Sequence, residues 1–254
     1  MSEVVVETSG KVVSVTLDRP PVNALTMALY RRIADVFEEI GSRSDVHCAV
    51  LGARGERAFC AGLDLREFLA AKVEDDPQRA AIVRRTFSAV RHCAIPVIAA
   101  VNGPALGAGC VLASVCDIRI AAENATFGIP EINAGRCGGT AHMGRHVPAG
   151  LLRRMFFTGR PITAQEAYRV GFVEEVVRLD RLRDTAHELA AVIAAKAPLG
   201  LRMGKEALNR VEFMAVEDGY ALEQEYSTRL MHTDDCREAA RAVLEKRPPV
   251  FQGR

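Results

Sequence analysis

The chain has 254 residues, 49% of them hydrophobic, which is enough to bury one large core. Its 33 Lys and Arg residues nearly balance 32 Asp and Glu, and the net charge of +1 argues against general binding to nucleic acid or to an acidic membrane. No apolar run of about 18 residues is present, and the N-terminus MSEVVVETSG lacks the basic and apolar segments of a secretory leader. These features predict a cytoplasmic protein that does not enter membranes.

The first part of the chain alternates segments of strand character with segments of helical periodicity. Six segments are apolar or alternate at strand length: VVVET, KVVSVTL, HCAVLGA, PVIAAV, CDIRIAA and ATFGI. Apolar spacing predicts helices over 27–41 and 77–90, and a run of small residues predicts another over 107–115. Strands that alternate with helices predict an α/β fold with right-handed crossovers.

From residue 163 onward the pattern is predominantly helical. The helical segments are TAQEAYRVG, LRDTAHELAAVIAAKAP, LRMGKEALNRV, VEDGYALEQEYSTRLMHT and DDCREAARAVLEK. We therefore predict an α/β core over residues 1–195 and a helical region over 196–254. The helical region has little core of its own, so it must pack on the body or on a neighbouring subunit.

The cysteines and histidines do not form a metal-binding pattern. The seven cysteines include no CxxC pair and are predicted to be reduced and mostly buried. His142 and His146 have a spacing that can bind a metal on a helix, but the glutamate of HExxH is absent between them. The sequence predicts no metal site.

Two glycine-containing turns each join a strand to the start of a helix. ERAFCAGLDLREF follows HCAVLGA, and NGPALGAGCVLASVCD follows PVIAAV. Backbone N–H groups at such turns are free to bind negative charge, although relief of steric strain is the simpler interpretation of either turn alone. Leu112 occupies the third glycine position of GxGxxG, which argues against a dinucleotide site, and Walker and GxSxG motifs are absent.

Five short segments spread over nearly the whole chain carry a family resemblance. They are LDRPPVNAL, AFCAGLDL, PVIAAVNGPALGAG, CDIRIAAENATFGIPEINAG and EKRPPVFQGR. In this order they resemble the enoyl-CoA hydratase/isomerase (crotonase) superfamily. The resemblance implies a spiral of ββα units with a C-terminal α-helical trimerisation region, assembled as a homotrimer or hexamer. It also implies an acyl-CoA thioester substrate and no cofactor other than the coenzyme A that the substrate carries.

The same resemblance assigns the chemistry of the site. Two backbone N–H groups that stabilise a thioester enolate would be those of Leu63 and Ala108, where alanine replaces the commoner glycine but keeps the N–H. Glu131 matches a catalytic glutamate, and Val111 stands where hydratases of the family commonly have a second one. Lys246 matches a basic residue that reaches the nucleotide phosphates, often from the next subunit, although a solvated cation at a helix end is an alternative. The residues that the resemblance places along the coenzyme A channel are Asn23, Ala24, Leu25, Cys60 and Ala61.

Glu131 lies directly after a proline in the apolar loop FGIPEINAG. Burial there would raise its pKa into a range useful for proton transfer, whereas an exposed glutamate at a turn is the alternative. One carboxylate suffices to move a double bond beside an enolate. It also permits hydration if the same group takes a proton from water and returns it to C2.

Further polar residues follow Glu131, and they leave a second reaction open. Arg136, Cys137, Thr140 and His142 could supply the missing acid or hold a carboxylate or ketone of the substrate. The segment, with LLRRMFFTG after it, also resembles family members that open rings of cyclic β-keto-acyl-CoA thioesters by C–C hydrolysis. The arginines predicted to be surface or interface cations are Arg145, Arg153 and Arg154.

Two matters remain open at the level of the sequence. The residues compatible with an acyl pocket are Phe68, Leu69, Val83 and Val111, which suit many apolar tails. A non-catalytic scaffold that binds acyl-CoA or RNA is the remaining alternative. The near-neutral charge and the absence of a basic stripe with interleaved aromatic residues argue against RNA.

Overall fold

Nine strands form two sheets in residues 3–254, the part of the chain that the computed structural model describes. In chain order they are β1 (Val4–Ser9), β2 (Val12–Leu17), β3 (Cys48–Ala53), β4 (Val97–Val101), β5 (Ala105–Leu106), β6 (Ile118–Ala122), β7 (Thr126–Gly128), β8 (Ile162–Thr163) and β9 (Glu175–Val177). The larger sheet has the order β1-β2-β3-β4-β6-β9, in which β1 is antiparallel to β2 and the other pairs are parallel. The smaller sheet has the order β5-β7-β8.

Helices connect and cover these strands. In chain order they are α1 (Met27–Ser42), α2 (Leu65–Ala70), α3 (Asp76–Arg91), α4 (Ala108–Ser114), α5 (Thr140–Met143), α6 (Ala149–Thr158), α7 (Ala164–Arg169), α8 (Leu182–Ala194), α9 (Pro198–Val211), α10 (Val216–Met231) and α11 (Asp234–Glu245). The predicted bounds of α1, α3 and α4 each lie within one residue of the observed bounds. The predicted α/β class is confirmed.

The larger sheet separates two apolar cores. On one face, Val13 and Val15 of β2 join the core that contains α1, α3 and α4. On the other face, α8 lies across β3, β4 and β6, and Ala186, Ala190 and Ala194 give it a stripe of small side chains. Strands β3 and β4 are covered on both faces, which explains why their segments are continuously apolar instead of alternating.

The helical C-terminal part differs from the sequence-based prediction in one respect. Glu175–Val177 forms strand β9 parallel to β6, although the pattern predicts only helices there. A three-residue strand is too short to give an alternating pattern.

The predicted boundary between the α/β core and the helical region, after residue 195, falls between α8 and α9 and stays a prediction. The buried Lys205 of α9 donates to the Ile95 carbonyl at 3.0 Å and pairs with Asp117 at 2.7 Å, which ties this helix to the core.

Helices α9 to α11 and the segments joining them carry large apolar side chains that are exposed in the single chain. They are Leu208, Phe213, Met214, Val216, Tyr220, Met231, Val243 and Leu244. So many exposed apolar residues on one region support a subunit interface there. The role of this helical region in trimerisation stays a prediction. No helix in residues 3–254 is long and apolar enough to cross a membrane.

Candidate active site

A cavity of about 850 Å³ lies where the two glycine turns approach the short 3₁₀ helix Pro130–Ala134. The predicted site residues that line it are Ala24, Ala61, Leu63, Ala108 and Glu131. Much of the remaining wall is apolar and comes from α2, α3 and Val111 of α4. An apolar cavity with a few polar groups at one point is the usual form of a small-molecule site.

The first glycine turn holds the N–H of Leu63 free. A bridge between two chain segments uses the N–H of Leu25, which donates to the Gly62 carbonyl at 2.7 Å, and the N–H of Asp64, which donates to the Leu25 carbonyl at 3.0 Å. In residues 3–254 this pattern leaves the Leu63 N–H without a protein acceptor. Asp64 then caps α2 by accepting from the Arg66 and Glu67 N–H groups at 3.0 and 3.1 Å.

The second turn leaves the N–H of Ala108 free in the same way. Gly107 has a φ of 54° and a ψ of −124°, a backbone conformation that favours glycine, and its N–H donates to the Gly128 carbonyl at 2.9 Å. Helix α4 begins at Ala108, and its hydrogen-bond ladder starts with the Val111 N–H on the Gly107 carbonyl at 3.0 Å. Ala108 therefore lies in the first turn, where N–H groups have no helical partner.

The two turns are in direct contact, which brings these N–H groups together. Gly62 has a φ of +90°, and a Cβ placed on it would lie 2.7 Å from the Leu106 carbonyl oxygen and 3.4 Å from the Ala108 nitrogen. A Cβ on Gly109 would overlap the carbonyl oxygen of Cys60. Glycine is thus required at both positions for the two backbones to approach so closely.

Glu131 lies on the 3₁₀ helix and faces the second turn. The sequence suggests a loop at this position, but the Gly135 N–H closes a turn on the Ile132 carbonyl at 3.0 Å and the Arg136 N–H donates to the Glu131 carbonyl at 3.0 Å. A Cβ placed on Gly107 would lie 2.9 Å from Glu131 Oε1. The carboxylate therefore lies beside the turn that carries the Ala108 N–H.

The electrostatic environment of Glu131 suits proton transfer. Its Oε2 atom is buried and has no hydrogen-bond partner in residues 3–254. Burial raises the pKa of the carboxyl above its usual value, while a backbone hydrogen bond lowers it by less. A carboxylate with a free oxygen and a raised pKa can accept a proton from a ligand and give it back.

Val111, which stands at the position of the second glutamate in the family resemblance, lines the cavity with an apolar side chain. It is 2% exposed, and a Cβ placed on Gly139 would lie 2.8 Å from its Cγ2 atom. The loop that follows Glu131 is therefore packed against an apolar side chain at this point. Phe68 and Val83 of the predicted acyl pocket also line the cavity, whereas Leu69 is 81% exposed and lies outside it.

The polar residues that the sequence offers as the missing acid are not gathered around Glu131. The guanidinium of Arg136 stacks on the Phe68 ring at 4.7 Å and approaches Asp76 at 3.4 Å, and Cys137 is exposed at the cavity wall. Thr140 and His142 do not line the cavity, and the His142 ring packs edge-on against Phe87 at 5.6 Å.

Three residues predicted along the coenzyme A channel lie behind the cavity wall. The Asn23 side chain is buried, donates to the Arg54 and Ala58 carbonyls at 3.1 Å, and accepts from the Arg19 N–H at 2.9 Å. Leu25 and Cys60 are both 0% exposed. These three side chains support the turn that carries Ala24, Ala61 and Leu63. Because they are buried behind the wall, the structure does not support direct contact between them and a ligand.

The four predicted cations have different environments. Lys246 is exposed at the end of α11 and does not line the cavity of its own chain. Arg145 does not lie on the open surface of the single chain, because its side chain is 13% exposed and pairs with Glu212 at 2.5 Å, and an interface position for it stays a prediction. Arg153 and Arg154 are exposed, as expected.

The histidines and cysteines have structural environments. His146 Nε2 lies 2.9 Å from the Ser114 carbonyl oxygen, and burial lowers the pKa of this imidazole to about 4. Residues 3–254 contain no cluster of three or more His, Cys, Asp or Glu side chains suited to a metal ion. All seven cysteines are free thiols, and five of them are buried.

One residue of the cavity wall escapes sequence-based reasoning. Tyr30 lines the cavity from α1, although it is only 1% exposed. In the sequence it occupies an apolar position of an amphipathic helix, flanked by Leu29 and Ile33, and so reads as a core residue. Only its hydroxyl group distinguishes it from its apolar neighbours in that helix.

Comparisons with known proteins identify the family of the chain. The family model described as Enoyl-CoA hydratase/isomerase matches residues 7–254. The chain is 37% identical over 251 residues to the short-chain-enoyl-CoA hydratase of Clostridium acetobutylicum, covering 97% of this chain and 96% of that protein. It is 38% identical over 224 residues to the (7aS)-7a-methyl-1,5-dioxo-2,3,5,6,7,7a-hexahydro-1H-indene-carboxyl-CoA hydrolase of Rhodococcus jostii, covering 86% and 85%. A crystal structure of enoyl-CoA hydratase from Bacillus anthracis matches with a TM-score of 0.96 and 34% identity over 100% of both chains.

The chain belongs to the enoyl-CoA hydratase/isomerase family, and the predicted resemblance is confirmed. The close match to a hydratase structure likewise confirms the crotonase fold. The protein is therefore an acyl-CoA enzyme of the hydratase/isomerase family.

Proposed function

We propose that the protein stabilises a thioester enolate with the N–H groups of Leu63 and Ala108 and transfers protons with the carboxylate of Glu131. The reaction that this arrangement supports best is the reversible addition of water to a 2-enoyl-CoA thioester. The same groups would also shift the double bond of a 3-enoyl-CoA. The enzyme is thus a hydratase/isomerase with a single glutamate as acid and base.

The proposed chemistry needs only these groups and water. Glu131 takes a proton from water as the water oxygen bonds to C3, and the electrons of the double bond move onto the thioester oxygen. The two N–H groups bind the resulting oxyanion, and the loss of one such donor typically lowers the rate by about 10² to 10³. Glu131 then returns the proton to C2. Isomerisation uses the same base without adding water.

One observation carries this proposal. The Glu131 carboxylate lies against Gly107, whose successor Ala108 presents a free N–H beside the turn of Gly62 and Leu63. An apolar cavity surrounds all three groups. A proton-transfer group and two donors for an oxyanion therefore face one largely apolar space.

The test follows products in deuterated water. We expect the purified protein to convert 2-enoyl-CoA to 3-hydroxyacyl-CoA with deuterium at C2, and Glu131→Gln to abolish this because an amide cannot accept the proton. A shifted double bond without added water, lost in the same variant, would define an isomerase. If Glu131→Gln matches the parent protein, the assignment of Glu131 is wrong.

Binding of coenzyme A follows from the same geometry. We propose that Ala24 and Ala61 flank the pantetheine arm at the cavity wall, supported from behind by Asn23, Leu25 and Cys60. Lys246 is exposed and outside the cavity of its own chain, so its proposed contact with the nucleotide phosphates would be made to a neighbouring subunit. This requires the homotrimer or hexamer that the family resemblance implies, and the exposed apolar residues of α9 to α11 support a subunit interface there.

A second candidate reaction is hydrolytic C–C cleavage of a cyclic β-keto-acyl-CoA. It is favoured by the similarity to the Rhodococcus jostii hydrolase and by Val111 at the position of the second glutamate. Ring opening yields a new carboxylate, whereas hydration yields an alcohol, so product analysis separates the two. A protein without activity on any acyl-CoA would instead be a binding scaffold.

A further inference from the structure

Hydration by a single carboxylate leaves the attacking water with one identified partner. A water molecule aimed at C3 must be held in position as well as deprotonated, and a second hydrogen bond supplies the missing constraint. Val111 cannot provide it, because its side chain is apolar. The second hydrogen bond must therefore come from another polar group that lines the cavity.

Most of these polar groups are already engaged or face away. Arg19 pairs with Glu3 at 3.0 Å and with Asp64 at 2.8 Å, and it donates to the Ala24 carbonyl at 2.9 Å. The Asn133 amide lies beside Gly159, within 2.6 Å of the position of a Cβ there.

The two remaining arginines and the cysteine of the wall lie toward its outer edge. Arg136 stacks on Phe68 and approaches Asp76, as described above. Arg66 and Cys137 are exposed. Apart from Glu131 and the groups just described, Tyr30 is the one polar side chain on the cavity wall among the described residues, and it is 1% exposed.

The Tyr30 ring is fixed by its neighbours while its hydroxyl is left free. Its backbone carbonyl accepts from Thr86 Oγ1 at 2.9 Å, and its ring meets Phe87 edge-on at 6.2 Å. In residues 3–254 no protein group forms a hydrogen bond with the hydroxyl. Because Tyr30 lines the cavity, a ligand or water bound there is the expected partner of this hydroxyl.

The charge state of Tyr30 is suited to hydrogen bonding. Burial raises its pKa far above the usual value, and the nearby Cys60 and Glu131 raise it further. The effect of Glu131 is expected of two groups that face one cavity. The phenol therefore keeps its proton at neutral pH and can both donate and accept a hydrogen bond.

We propose that the Tyr30 hydroxyl is the second hydrogen-bond partner of the water that adds at C3. This rests on the proposed hydration by Glu131. The water gives one proton to Glu131 and donates its other O–H to the Tyr30 oxygen while its own oxygen bonds to C3. Tyr30 keeps its proton throughout, and no further reactant is required. In the reverse direction, Tyr30 binds the C3 hydroxyl before it leaves.

The test compares two rates in the same purified full-length protein. One rate is hydration of a short-chain 2-enoyl-CoA, and the other is deuterium exchange at C2 of the matching saturated acyl-CoA. Exchange needs Glu131 and the oxyanion N–H groups but no water at C3. We expect Tyr30→Phe to lower kcat for hydration by about 10- to 100-fold, as expected for a misplaced reactant, and to leave exchange within about two-fold.

Tyr226→Phe is the matched control. Tyr226 is also buried, but its hydroxyl bonds to Glu206 at 2.7 Å and to Arg210 at 3.0 Å, both on α9 and outside the cavity. This variant should change neither rate. Circular dichroism and the melting temperature of both variants monitor the fold.

Each outcome decides the inference. A selective fall in hydration supports it. Equal falls in both rates would mean that the hydroxyl only maintains the structure, and an unchanged hydration rate would mean that it does not bind the water, so either result overturns it. A parent protein that isomerises without hydrating also overturns it. If the parent shows no Glu131-dependent exchange, the proposed function itself fails, and the inference fails with it.

Discussion

The two walls of the cavity are built in opposite ways. The oxyanion wall, residues 60–63 and 105–109, consists of two backbones so close that a Cβ on Gly62 or Gly109 would collide with a carbonyl oxygen. The acid wall, residues 130–139, has open space around Gly135 and Gly138, and its close approach at Gly139 is to the Val111 side chain and not to backbone. Close packing fixes the positions of two N–H groups, while the looser wall carries Glu131. In terms of the proposed function, the comparison teaches that enolate binding would be built into the fold, whereas the fate of the enolate would depend on the looser wall.

Gly109→Ala tests the oxyanion wall most severely. The new Cβ would overlap the Cys60 carbonyl oxygen, and neither backbone can move without displacing the turn of the other. We expect a loss of about 3 kcal/mol or more in the free energy of unfolding, or no folded protein, because overpacking of a rigid contact is rarely relieved. Chemical denaturation measures this.

Gly204→Ala is the matched control, since it is also a glycine within a helix. A Cβ there has nothing within 4 Å, so the change should stabilise α9 by up to about 1 kcal/mol. Equal destabilisation by the two variants would contradict the assignment of Gly109 to a closely packed contact.

Gly62→Ala should leave the protein folded but slow. Gly62 has a φ of +90°, and its Cβ would lie 2.7 Å from the Leu106 carbonyl oxygen, so the turn must shift and move the Leu63 N–H. Loss of one oxyanion donor should lower kcat by about 10² to 10³ with little change in KM. Steady-state kinetics on the best 2-enoyl-CoA substrate measure this. A normal kcat would show that the Leu63 N–H does not bind the oxyanion.

The oxyanion wall was largely predictable from sequence, and the rest of the cavity only in part. Glycines between a strand and a helix mark a turn whatever surrounds it, and the family resemblance of AFCAGLDL and PALGAG then assigns the N–H groups of Leu63 and Ala108. Tyr30 could not be named, because helical periodicity does not tell whether a buried position faces the core or a cavity. Likewise, nothing in the local sequence of Arg145 reveals Glu212, which is distant along the chain.

Ionisation of Glu131 should change stability and activity in opposite directions, and by less than the glycine substitutions do. Its pKa is raised in the folded state, so between its unfolded and folded pKa values the native protein binds more protons and stability falls as pH rises. Glu131→Gln should therefore be more stable than the parent at pH 8, with the difference vanishing at low pH. The acid limb of kcat/KM in the parent should have its midpoint above the usual glutamate value. Unfolding curves and kinetics over a pH series measure both, and a stability difference that shrinks with rising pH would contradict the buried carboxylate.

Gly138→Ala tests the acid wall and should have the smallest effect. Gly138 lines the cavity, its φ is not in the left-handed region, and a Cβ there meets nothing within 4 Å. Stability should stay the same or rise by up to about 1 kcal/mol, because alanine restricts the unfolded chain. The added methyl group would displace no protein atom, so we expect kcat to change by less than about two-fold, and any change in KM to depend on the length of the acyl chain. Kinetics on a series of 2-enoyl-CoA thioesters measure this. A fall in kcat as large as that of Gly62→Ala would mean that the loop after Glu131 is as constrained as the oxyanion wall, and the tolerance attributed to this side of the cavity would be wrong.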